Sequence, residues 1–154
     1  MFDDQFERQF FSYVVDVNVA GNAVQTPVQL QILSDADFEW WWSMVFRTSG
    51  SLKLLMKEQG TGRDFIGTTA SGTGSTFNGV NIDLWAGTAV ANAAFPLAVP
   101  YVMPATRVYS FLLTDSSGET NVVEIVLNGF KLWPRPESTQ SAQSSMQPTS
   151  SSGQ

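Results

Sequence analysis

Apolar and polar positions alternate with a period of two along most of the chain. Val15, Val17 and Val19 are separated by Asp16 and Asn18, and Val28, Leu30 and Ile32 by Gln29 and Gln31. Such alternation sends one set of side chains to each face of an extended segment, so both stretches read as half-buried strands. Ala20-Gly21-Asn22-Ala23 lies between them with turn chemistry, which predicts a hairpin or a pair of adjacent strands. Residues 40–47 (WWWSMVFR) and 52–57 (LKLLMK) form two further apolar runs, divided by Thr48-Ser49-Gly50-Ser51. Residues 80–85 put Val80, Ile82 and Leu84 on one face and Asn81 and Asp83 on the other. Residues 107–114 (RVYSFLLT) and 122–133 flank the turn signal Asp115-Ser116-Ser117-Gly118 and read as a closing hairpin.

Punctuation between these runs is equally informative. Residues 60–79 are crowded with Gly, Thr and Ser and contain Asn78-Gly79, which predicts a long surface loop with a short strand near Phe65-Ile66. Pro96, Pro100 and Pro104 interrupt residues 95–104 and restrict that stretch to a connector or a sheet edge. The total is about seven to nine short strands without strand–helix alternation, the pattern of an all-β fold: an antiparallel β-sandwich or jelly-roll-like barrel.

The two ends depart from this pattern. Phe2, Phe6 and Phe10 recur every fourth residue among Asp3, Asp4, Glu7 and Arg8, which predicts a short amphipathic helix or arm over residues 1–13. Its phenylalanines dock either on the domain's own core or on another chain. Residues 137–154 (ESTQSAQSSMQPTSSSGQ) have almost no apolar side chains to offset the entropy of ordering. Residues 135–154 are therefore assigned as a tail, or an arm that orders on a neighbouring subunit, and residues 14–134 as the sandwich domain.

Composition narrows the chemistry. The 154 residues include no His and no Cys, which excludes a Ser-His-Asp triad, a thiolate nucleophile, a thiolate–imidazole zinc site and a disulfide framework. Fourteen Asp+Glu against eight Lys+Arg give a net charge of -6. A field of that sign repels nucleic-acid phosphates and anionic lipid headgroups, so neither nucleic acid nor membrane is expected as a partner. No run approaches the roughly 20 apolar residues of a membrane helix, and Met1-Phe2-Asp3-Asp4 lacks the basic and apolar regions of a secretory signal. A soluble protein made in the cytosol is the expectation.

Three clusters invite a functional reading. Asp35, Asp37 and Glu39 would share one face of an extended segment, as calcium ligands or a glycosidase acid–base pair require, or would simply keep an aromatic strand soluble. Nothing else in the sequence assembles an active site around them, and no enzyme activity, cofactor or metal is assigned. Trp40-Trp41-Trp42 must send at least one indole away from the core face, toward a covered sheet, a subunit interface or a sugar ring. The glycine pairs Gly60/Gly62 and Gly72/Gly74 lack the Gly-Lys-Ser/Thr sequence that a phosphate cradle needs.

Taken in order, the N-terminal strand pair, Asp35-Ala36-Asp37-Phe38 leading into the aromatic strand, the Gly62-Arg63 segment, Phe95-Pro96-Leu97, and residues 123–127 followed by Asn128-Gly129-Phe130-Lys131-Leu132 resemble small all-β virion structural proteins of tailed bacteriophages. The similarity runs from about Val15 to Trp133. It implies a non-enzymatic capsid decoration or cement protein, or a head–tail neck protein, on the outer surface of the particle after synthesis in the host cytoplasm. Its partners would be phage capsid or neck proteins and further copies of itself. On this reading Phe2, Phe6, Phe10, Trp40, Trp41 and Trp42 are the subunit-interface candidates. The alternative is a carbohydrate- or receptor-binding module on a phage fibre, with Trp85, Asp83 and Trp133 as ligand-binding candidates.

Overall fold

The computed structural model describes residues 5–22, 27–48, 52–66, 80–82, 94–115 and 117–135. They form nine strands: β1 (Phe6–Val19), β2 (Val28–Gln31), β3 (Asp37–Arg47), β4 (Leu52–Glu58), β5 (Asp64–Ile66), β6 (Val80–Asn81), β7 (Phe95–Met103), β8 (Val108–Asp115) and β9 (Asn121–Pro134). One sheet has the order β1-β9-β3-β7 and the other β2-β8-β4-β5, with β6 also pairing β4. All pairings are antiparallel.

With the two-residue β6 set aside, the pairs β1–β9, β2–β8, β3–β7 and β4–β5 match the first strand with the last, the second with the next to last, and so inward. A long antiparallel hairpin rolled up on itself produces that nesting, and its two halves then face each other. This is jelly-roll connectivity.

Alternation explains the core. Tyr13, Val15, Val17 and Val19 of β1, Phe38 and Trp40 of β3, and Val123, Ile125 and Leu127 of β9 point inward from one sheet. Leu52, Leu54 and Met56 of β4 and Tyr109, Phe111 and Leu113 of β8 meet them from the other. Each such side chain contributes about 1.5–3 kcal/mol relative to exposure.

Three expectations are corrected. Residues 6–13 are not a helix: they belong to β1, which pairs with β9 without interruption from Phe6↔Pro134 to Val19↔Asn121, so the sandwich begins before residue 14. A spacing of four is also an even number, and an extended strand puts Phe6 and Phe10 on one face as readily as a helix does. Neither predicted hairpin forms, because β1 and β2 lie in different sheets, as do β8 and β9. Each of these links therefore joins one sheet to the other. Their described residues meet at Asp115, which accepts hydrogen bonds from Asn22 N (3.0 Å), Ser117 N (2.9 Å) and Asn121 Nδ2 (3.3 Å). Gly21 packs so closely against the backbone of Gly118 that a Cβ has no room there. Residues 95–103 form the expected edge, β7.

Candidate subunit-binding face

The outward face of the β1-β9-β3-β7 sheet is apolar where a solvated sheet face is ordinarily polar. β1 contributes Phe10 and Val14, β3 contributes Met44 and Phe46, and β9 contributes Val122, Val126 and Phe130. Phe10 is 56% exposed and Phe46 61%.

A bulge in β3 concentrates aromatic area on this face. Trp40 is opposite Gly129 and Trp42 opposite Asn128, so Trp41 is an extra residue without a partner on β9. An inserted residue resets the alternation. Trp40 points into the core, buried, and donates from Nε1 to Ser43 Oγ at 3.1 Å. Trp41 and Trp42 both join the outer face: Trp42 stacks on Phe10 with ring centroids 5.9 Å apart, and Trp41 meets Phe130 edge-on at 6.1 Å. Phe10 and Phe130 are themselves edge-to-face at 6.1 Å. Gly129 is what permits the bulge, since any Cβ there would run into the Glu39 carbonyl.

Polar groups edge this aromatic cluster. Glu39 accepts a hydrogen bond from Trp41 Nε1 at 2.9 Å and an ion pair from Arg8 at 3.4 Å. Farther along the face Asp16 is directly opposite Glu124, two exposed carboxylates side by side.

The acidic trio disperses. Asp37 and Glu39 share the outward face, but Asp37 Oδ1 accepts from Ala105 N at 2.7 Å, while Asp35 lies in the preceding turn and takes a hydrogen bond from Lys131 Nζ. That ammonium hydrogen bond holds the Asp35 carboxyl below its ordinary value. Lys131 is itself buried, with Nζ 4.3 Å from the centre of the Phe11 ring. Among the described residues no three acidic side chains converge to hold a metal ion.

Of the sequence candidates, Phe10, Trp41 and Trp42 come together, Phe6 is half-buried on the same strand, and Trp40 is removed to the core. Phe2, Trp85 and Asp83 lie outside the described residues. Trp133 is half-buried with Lys131 Nζ 5.7 Å from its ring. Sequence reasoning missed Val14, Met44, Phe46, Val122 and Phe130. For Met44 and Phe46 the signal existed in the alternation of β3, but its phase was hidden until the bulge was known. No protein-family model matches the chain, and neither characterised proteins nor solved structures give a match.

Proposed function

We propose that the protein is a non-enzymatic structural subunit of a bacteriophage virion, a decoration or cement protein or a neck component that binds neighbouring subunits. The observation that carries this reading is the contiguous outward face of Phe10, Val14, Trp41, Trp42, Met44, Phe46 and Phe130. Large apolar patches on a folded surface mark docking sites, and aromatic rings supply the anchors of such interfaces. Full burial of Phe10 and Phe46 against a neighbour would contribute about 1.5–3 kcal/mol each. Jelly rolls serve in viral capsids and also in lectins, so the fold supports the reading without deciding it. The net charge of -6 favours a position away from packaged DNA.

The test is to add purified protein to particles assembled without it and sediment the mixture. The wild-type chain is expected to co-sediment, and a Phe10→Ser, Phe46→Ser variant to bind at least about tenfold more weakly while remaining folded, as exposed positions allow. No co-sedimentation of the wild type, together with saturable quenching of its indole fluorescence by glycans, would replace this reading with the carbohydrate-binding one.

A further inference from the structure

The four sheet edges are not alike. β7 carries Pro96 and Pro100 and is out of register with β3 at the bulge; β2 has four residues and β5 three. These are devices that discourage strand addition. β1 has none of them. It runs for 14 residues, contains no proline, keeps an unbroken register with β9, and among the described residues no strand lies on its other side. Its far edge therefore presents a row of backbone N–H and C=O groups that another extended strand would satisfy.

The sequence of β1 also selects a partner. Arg8 and Asp16 stand four residues to either side of Ser12, and both face outward with Phe10 and Val14. Placing a two-fold axis at Ser12 against a second β1 puts Arg8 directly opposite Asp16 of the other copy, twice, and Phe10 opposite Val14, twice. On the core side the same register sets Phe11 opposite Tyr13. Side chains so paired have Cβ atoms about 4.5–5.5 Å apart, where opposite charges and apolar pairs stabilise a sheet. Moving the axis to Phe11 sets Arg8 against Val14 and Asp16 against Phe6; moving it to Tyr13 sets Asp16 against Phe10. Neither neighbouring register is self-complementary. A further observation agrees: within one chain Asp16 faces Glu124, a like-charge juxtaposition that destabilises a sheet, and the second copy's Arg8 would offset it.

We propose that two copies of this chain associate through their β1 edges about a two-fold axis at Ser12. The product is one continuous eight-stranded sheet, four strands from each copy, with the two aromatic faces side by side on the same surface. This deepens the reading of the chain as a structural subunit and rests on that reading for its place in a particle.

Sedimentation equilibrium of the full chain tests the proposal. The wild type is expected to be a dimer. Arg8→Asp alone and Asp16→Arg alone should each raise the dissociation constant at least about tenfold, since each places like charges opposite one another twice. Mixing the two single variants should restore association within about threefold of wild type, because in the mixed pair both juxtapositions are again of opposite sign. That recovery cannot come from a folding defect in either variant. A monomeric wild type, single variants that dimerise as wild type does, or a mixture no tighter than its components would each overturn the β1 register. Co-sedimentation with particles in any of those cases would leave the structural-subunit reading intact.

Discussion

Asp115 has almost no contact with solvent, yet it is the acceptor that ties Asn22, just past the end of β1, to Ser117, between β8 and β9, and to Asn121, at the start of β9. Burial alone pushes its carboxyl upward, but hydrogen bonds from the Ser117 side chain and backbone and from the Asn22 and Gly118 backbone outweigh that and hold it below the ordinary carboxylate value. Because the folded-state value is the lower one, the stabilisation is complete above the unfolded-chain value of about 3.9 and disappears as pH falls through the folded-state value. Asp115→Asn keeps the shape but replaces an acceptor oxygen with an NH2 donor turned toward other donors, and should cost about 2–4 kcal/mol in urea unfolding at neutral pH. It should also flatten the loss of stability below about pH 4. A cost under about 0.5 kcal/mol, the level of an ordinary surface change, would contradict this account of Asp115. Asp115-Ser116-Ser117-Gly118 is legible in the sequence as a turn. That Asn22, 93 positions away, is its partner is not, because the pairing arises only once β1/β9 and β2/β8 are neighbours.

At the scale of elements, the strands were legible from alternation and their partners were not. Period two records which side of a segment is buried but not which strand lies beside it, and short turns between apolar runs suggested hairpins where the chain instead crosses between sheets. β1 shows a second limit: the four-residue spacing of Phe6 and Phe10 satisfies helix and strand alike, and the decision falls to Tyr13, Val15, Val17 and Val19, which extend the strand phase backward. β3 shows a third. Its three tryptophans announced that one indole must leave the core, but the bulge that sends two of them outward depends on Gly129 in another strand. Gly129→Ala should therefore cost about 3 kcal/mol or more, by forcing the Glu39 backbone away, and should shift the indole emission as Trp41 and Trp42 lose their places. Wild-type stability and emission in that variant would show that the bulge does not require glycine.

At the scale of the molecule, a rolled hairpin leaves two sheet faces outward and few free edges, and among the described residues one face is aromatic and one long edge, β1, has no strand beyond it. The interior is accounted for by apolar burial from both sheets. The outward Phe10 and Phe46, being exposed, contribute nothing comparable to the stability of the chain alone, and this is the ground on which a neighbouring subunit is proposed for them. The all-β class and the sandwich were readable from composition and alternation. The nested order of pairs, and with it the face and the edge, emerges from long-range pairing that local pattern does not encode. The most direct test of the structural-subunit account is the copy number of this chain in purified particles, by quantitative mass spectrometry against the major shell protein. The account predicts a fixed ratio, near-stoichiometric for a decoration or cement protein and small but constant for a neck component; complete absence from the particle would contradict it.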